Sequence, residues 1–235
     1  HPSNAYQKGR ELKEEGKWEE ALAAFRRGAD YFHGLSEKNP LRRYRLQYLQ
    51  GLLEMAPVYA EMGDPSSLQT ALDLWQKAVE IEPRYAEGQP FLARGMVLQR
   101  LGEYRDAVEA YSGAMEYGSA PVALEAVLGR GGCYKELGDF PAAGRDWYWY
   151  ARLKKGFAPA LWNDLASIPL DSCAEAHYLH ARAASIRGET KQAEECWRKY
   201  LTLNPLDRSA NYYFHRLTGK SMELGDGEIP LTDLF

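Results

Sequence analysis

The sequence predicts an all-α protein built from repeated helix–turn–helix units, and three registered observations carry that prediction. Five glycines, Gly16, Gly63, Gly102, Gly138 and Gly188, each close an apolar pattern of helical period. An Ala-x-x-x-aromatic signature follows each of them: Ala21/Phe25, Ala71/Trp75, Ala107/Tyr111, Ala143/Trp147 and Ala193/Trp197. Seven positions before each glycine stands another small residue: Gly9, Ala56, Gly95, Gly131 and Ala181. The glycine-to-alanine offset is 5 in four copies and 8 in the second, where Asp64-Pro65-Ser66-Ser67 lengthens the turn. Self-similarity held in register is the sequence signature of stacked supersecondary units.

The register has a steric reason. A small residue on the first helix of a pair lets the second helix approach closely, and the alanine opening the second helix reciprocates. Leu12, Tyr59, Leu98, Tyr134 and Ala184, three residues after the small positions, supply packing surface. The aromatic one turn beyond each alanine is expected to fill the space between neighbouring units. Each closing glycine supplies the positive φ that ends a helix at little steric cost.

In chain order, the pairs fall near residues 2–35, 41–83, 86–119, 122–155 and 172–205. Successive glycines stand 47, 39, 36 and 50 residues apart, so the spacing is irregular. The first gap holds Ser36-Glu37-Lys38-Asn39-Pro40 and a long helix pattern through Met62. The last holds residues 156–171, with Pro159 and Pro169 bracketing a short helix around Ala160–Ser167. Residues 207–217 read as a lone helix capping the last pair. One domain over 1–217 and an extended tail over 218–235 complete the expected organisation.

These blocks resemble tetratricopeptide repeats (TPR). The segments GKWEEALAAF, GEYRDAVEAY, GDFPAAGRDW and GETKQAEECW match the turn and second helix of that repeat. Trp18, Tyr104 and Phe140 fall on its turn aromatic, and Pro83 and Pro205 on its closing proline. His33, Ser119 and Lys155 depart from the proline in the other copies. The resemblance covers about residues 2–206 and implies a right-handed superhelical α-solenoid of about five helix pairs with a C-terminal capping helix. It also implies a protein–protein interaction scaffold or adaptor, with a peptide or amphipathic helix docked on the concave face of the first helices. A structural subunit of a larger assembly, held through Tyr148 and Trp149 on the convex face, is the alternative.

Mapped onto this chain, the concave face comprises Tyr6, Arg10, Leu53, Leu92, Met96, Gln99, Leu128, Lys135, Tyr178 and Arg182, with Lys13, Pro57 and Gly132 beside them. Its centre is apolar and its ends are cationic, which suits a segment carrying acidic and apolar residues. The family's carboxylate clamp for chaperone C-termini is not matched, because its positions read Tyr6, Arg10, Glu54, Gln89 and Ala93.

Composition excludes several other classes. With 235 residues, 45% hydrophobic and 26% charged, the chain is ordinary globular material. No stretch approaches the ~20 apolar residues of a membrane span, so no membrane insertion is expected. The net charge is −4, and residues 221–235 contribute Glu223, Asp226, Glu228 and Asp233 with no base. No basic stripe exists for a phosphate backbone, so the expected partner is a protein or peptide rather than a nucleic acid. A cytoplasmic location is expected, or a periplasmic or exported one after removal of a targeting segment.

Chemistry-bearing motifs are sparse, and neither catalytic residues, a metal nor a cofactor is expected. Cys173, His177 and His180 share one helical face at zinc-compatible spacing, yet no fourth ligand accompanies them except Cys196. They read as packing residues, and the three cysteines as reduced, half-buried thiols. Gly129-Arg130-Gly131-Gly132 lies inside a helix pattern rather than at a phosphate-binding turn. In the run Trp147-Tyr148-Trp149-Tyr150, the first and last residues read as core and the middle two as outward-facing. The tail end, Ile229-Pro230-Leu231-Thr232-Asp233-Leu234-Phe235, is itself acidic and apolar. Two readings stand for it: a frayed terminus, or docking in a groove of its own chain or a neighbour's, which would give a route to self-association.

Overall fold

The computed structural model describes residues 4–154 and 159–220, and among them every regular element is a helix. The pairs are α1 (Ala5–Glu14) with α2 (Trp18–Lys38), α3 (Arg42–Met62) with α4 (Pro65–Ile81), and α5 (Gln89–Leu101) with α6 (Tyr104–Tyr117). Next come α7 (Ala120–Glu136) with α8 (Phe140–Leu153), the short α9 (Pro159–Leu165), and α10 (Ala174–Arg187) with α11 (Thr190–Leu203). A single helix, α12 (Arg208–Thr218), follows the last pair. The chain forms two compact units, one reaching Ala126 and one starting at Val127, so the boundary falls within α7.

All five registered glycines adopt the left-handed conformation, with φ between 75° and 78°. Gly63, Gly102 and Gly188 are themselves the C-caps of α3, α5 and α10. The lengthened second turn becomes extra helix: Asp64 caps α4 by accepting from the Ser67 amide at 3.0 Å, with Pro65 in the first turn. The first inserted segment likewise lengthens α2 and α3 to 21 residues each. The last becomes α9 and a 3₁₀ turn over Leu170–Ser172, burying Trp162, Leu165 and Ile168.

Three of the signature aromatics press on the small residue of their own pair. A Cβ built on Gly9, Gly95 or Gly131 would run into Phe25, Tyr111 or Trp147 respectively. While Trp75 of α4 lines a cleft shared with α5 of the next pair, Phe25, Tyr111 and Trp147 lie on the small residue of their own pair. Their polar tips reach the same partner helix. Tyr111 donates to Gln99 Oε1 at 2.7 Å, Trp147 Nε1 to the Leu128 carbonyl at 3.1 Å, and Trp197 Nε1 to Ser185 Oγ at 3.4 Å. A large aromatic can thus be buried without stranding its donor.

The first unit's core contains Phe25, Leu49 and Val58, none with any exposed surface. In the second unit Trp197, Leu179 and Leu201 are equally enclosed, and α12 covers them with Ala210 and Phe214. Tyr213 stacks on Trp197 at 5.8 Å, as a capping helix should. The cysteines are free, with Cys133 and Cys196 buried and Cys173 half-buried. Burial pushes the Cys133 thiol up to about 11, so it stays protonated and unreactive at neutral pH.

Candidate peptide-binding face

In the first unit the face is set by the residues just beyond each small residue of a first helix. One position on stand Arg10, Pro57 and Met96; four positions on stand Lys13, Ala60 and Gln99. Met96 is 54% exposed, and Gln99 is held in place by the Tyr111 hydroxyl. Arg10 pairs with Glu54 at 2.5 Å and Lys13 with Glu61 at 3.1 Å, tying α1 to α3. Both pairs are solvent-accessible and contribute at most ~1 kcal/mol each.

Between α3, α4 and α5 lies a cleft of about 600 Å³. Its apolar walls are Pro57, Ala60, Leu68, Trp75, Val97 and Leu101, and its charged groups are Glu61 and Arg100. Leu68 stands three residues before Ala71, the register that Trp18, Tyr104 and Phe140 hold in other pairs, and the residues added by the longer second turn, 65–67, precede it. The turn was visible in the sequence as the one offset of 8. The cleft, and with it the roles of Leu68, Arg100 and Leu101, was not foreseen.

Several expected face residues are core instead. Tyr6 is 4% exposed, wedged where a Cβ on Gly28 of α2 or Gly51 of α3 would strike it, and its hydroxyl donates to the Gln47 carbonyl at 2.7 Å. Burial drives its pKa far upward, followed by the charges of Tyr85, Glu54 and Asp30. Leu92 is 4% exposed and Leu53 is half-buried against the core of the first unit. In the second unit Tyr178 is 2% exposed amid Tyr148, Trp197 and Tyr200. Leu128 and Lys135 are half-buried. The Arg182 guanidinium lies 3.7 Å over the Tyr213 ring and 5.0 Å over Trp162, a desolvated cation–π seat.

Comparison with known proteins completes the assignment. A family model described as "Tetratricopeptide repeat" matches residues 92–156. Solved structures agree over most of the chain. A tetratricopeptide repeat protein from Parabacteroides merdae is 17% identical, with 92% of this chain and 72% of that one covered at a TM-score of 0.51. MamA from Desulfovibrio magneticus RS-1, taken from residue 41 to its end, is 15% identical, with coverage of 88% and 96% at 0.50. A MamA RS-1 double mutant is 16% identical, with coverage of 87% and 94% at 0.52. No curated protein matches the sequence. The chain carries the tetratricopeptide repeat fold. That fold is the one of protein-interaction scaffolds, so a protein partner is the coarse functional conclusion.

Two further TPR-register expectations meet the structure here. Trp147 and Tyr150 are core, as their register required, and Trp149 is outward at 56% exposure. Tyr148 is not. Its hydroxyl donates to Asp207 at 2.6 Å and its ring meets Tyr178 edge-on at 4.9 Å, so it belongs to the packing of the last TPR pair and the cap. It is therefore half-buried packing rather than an outward contact; part of the 157–162 segment lies outside the described residues. The tail, with both of its readings, is also outside them.

His180 and Cys173 are separately engaged. His180 Nε2 meets the Ile168 carbonyl at 2.9 Å, and Cys173 fills the space left by Gly144. Among the described residues no group of three or more His, Cys, Asp or Glu side chains is placed to hold a metal. Nor is any described helix long and apolar enough to cross a membrane.

His177 is 7% exposed, and its Nδ1 has no partner among the described residues. Burial lowers its pKa first, then Lys199 and His180, against Asp171. Its folded pKa is therefore below the unfolded value of ~6.5, and the unfolded chain takes the proton first as pH falls. Stability conferred by neutral His177 is present above that window and lost below it. The thermal midpoint of the native chain should drop between pH 7.5 and 5 more steeply than that of His177→Gln. Parallel curves would remove His177 as the cause.

Proposed function

We propose that the chain is an interaction scaffold whose first-unit face, over α1, α3 and α5, holds a partner peptide or helix with one apolar side chain seated in the cleft. The observation that carries this reading is the cleft itself, an apolar hollow beside the guanidinium of Arg100. A hollow of that size accommodates a leucine- or phenylalanine-sized side chain, and Arg100 favours a neighbouring carboxylate. Arg10, Leu53, Met96 and Gln99 extend the same face. In the second unit Leu128, Lys135 and Arg182 stand at corresponding registers. The acidic net charge of −4 supports a peptide partner over a nucleic acid.

A displayed peptide library selected on the full chain tests the reading. Selected peptides should combine an apolar residue with an adjacent Asp or Glu. Their affinity should fall about tenfold or more in Arg100→Glu combined with Leu101→Glu, both exposed positions that leave the core intact. Peptides that bind the double variant as well as the native chain would remove the cleft from the function. Leu92 is unsuited to such a test because it is core.

A further inference from the structure

The second unit exposes an apolar shelf that the groove reading does not use. Trp149 and Leu153, one helical turn apart on α8, are 56% and 64% exposed. Leu203 at the end of α11 and Leu206 in the following turn are 60% and 76% exposed. These four side chains come from one neighbourhood. Arg152 of α8 reaches Asp207, the residue after Leu206, at 2.8 Å, and Tyr148 reaches both Asp207 and Tyr200 of α11. Large apolar side chains this exposed, carried next to residues in mutual contact, mark a contact surface. The exposed residues next to them are basic: Arg145 one turn before Trp149, Lys154 after Leu153, and Arg208 two residues beyond Leu206. The nearest acid, Asp207, is already neutralised by Arg152.

The chain supplies a segment of the opposite character. Residues 221–235 carry Glu223, Asp226, Glu228 and Asp233, no base, and the apolar Ile229, Leu231, Leu234 and Phe235. Reach is sufficient. The 11-residue helix α12 separates Leu206 from the start of this segment by ~16 Å. The seven residues 221–227 in extended form span up to ~24 Å, so residues 228–235 can return along α12 to the shelf.

We propose that residues 228–235 dock on the α8–α11 shelf of their own chain, with Leu231, Leu234 and Phe235 against Trp149, Leu153 and Leu206. Arg145 and Arg208 then face Glu228 and Asp233. This assignment is independent of the cleft in the first unit and stands or falls without it.

Hydrogen exchange of the full chain, followed by mass spectrometry, reads the docking directly. Amides of 228–235 should exchange about tenfold or more slowly in the native chain than in Trp149→Lys combined with Leu206→Lys, both surface changes. The reciprocal variant, with Leu231, Leu234 and Phe235 each changed to Asp, should lose protection over 149–153 and 203–206. Equal tail exchange in the native chain and the shelf variant would overturn the proposal. So would protection that grows between about 1 µM and about 100 µM protein together with a dimer mass, which would give the shelf to a second copy instead.

Discussion

Gly131→Leu is expected to lower the stability of the second unit by about 3 kcal/mol, the upper end of overpacking costs. Even the first carbon of a side chain at this position would meet Trp147, against its Nε1 and Cδ1. Trp147 cannot simply move aside. It is 5% exposed, and its Nε1 is bonded to the Leu128 carbonyl on the same helix as Gly131. Relief requires either breaking that bond in a buried site or separating α7 from α8. Gly131→Ala makes the informative control. The same register holds Ala56 in the second pair and Ala181 in the fifth, each paired with a tryptophan signature, so a methyl group is tolerable where the indole has settled further out. Alanine also regains ~1 kcal/mol of helix propensity over glycine. The control should still be destabilised, because the methyl alone meets the indole, but by less than leucine, which lowers the thermal midpoint by several degrees. If leucine proves as mild as alanine, close approach at the small residue does not hold the pair together.

That contrast shows what the sequence makes legible. Contacts within a pair repeat five times in register, so glycine turns, small-residue approaches and buried aromatics were all readable, and each lies where the register put it. The concave face was readable only in part, because helical angle does not report depth along the helix axis. Tyr6, Leu92 and Tyr178 stand three residues before their small residues, on much the same side as Gln99. At that level the adjoining helices close over the side chain, as Gly28 and Gly51 close over Tyr6. Met96 and Gln99, further along, escape that cover to differing degrees. The mid-helix glycines Gly28 and Gly51 were the available signal for a buried Tyr6. Tyr148 fails for a related reason: its neighbours Asp207 and Tyr200 come from elements 59 and 52 residues away, beyond any periodic pattern.

Asp207→Ala should be the most damaging substitution outside the apolar core, at about 3 kcal/mol, because one carboxylate serves four donors. Its Oδ2 accepts from Tyr148 at 2.6 Å, Tyr200 at 2.8 Å and Arg152 at 2.8 Å, and its Oδ1 accepts from the Ala210 amide at 3.1 Å. The last bond is the N-cap of α12, worth ~1 kcal/mol by itself. Removing the carboxylate also leaves the Tyr148 hydroxyl without its acceptor, Tyr200 with only the Tyr148 oxygen at 3.1 Å, and Arg152 without its ion pair. Loss of one partner from a buried pair costs ~3–5 kcal/mol, and the one-third exposure of Arg152 brings this case to the low end. Burial pushes the Asp207 pKa up, but hydrogen bonds from Tyr148, Ala210 and Tyr200 and the charge of Arg152 outweigh it, so the folded value is depressed. A depressed carboxylate stabilises above its unfolded pKa, ~3.9, and the stabilisation is lost as pH falls through the folded value. Asp207→Asn keeps the cap geometry while surrendering the charge. It should therefore cost less than alanine at pH 7, and its thermal midpoint should fall less than the native one on acidification below about pH 4. The cost should concentrate on the cap: amide exchange over α12 accelerates before that of α10, since Phe214 and Tyr213 lose the anchor that holds them over Trp197. If α12 amides in Asp207→Ala exchange at native rates, the cap is held by apolar burial alone and the carboxylate network is incidental to it.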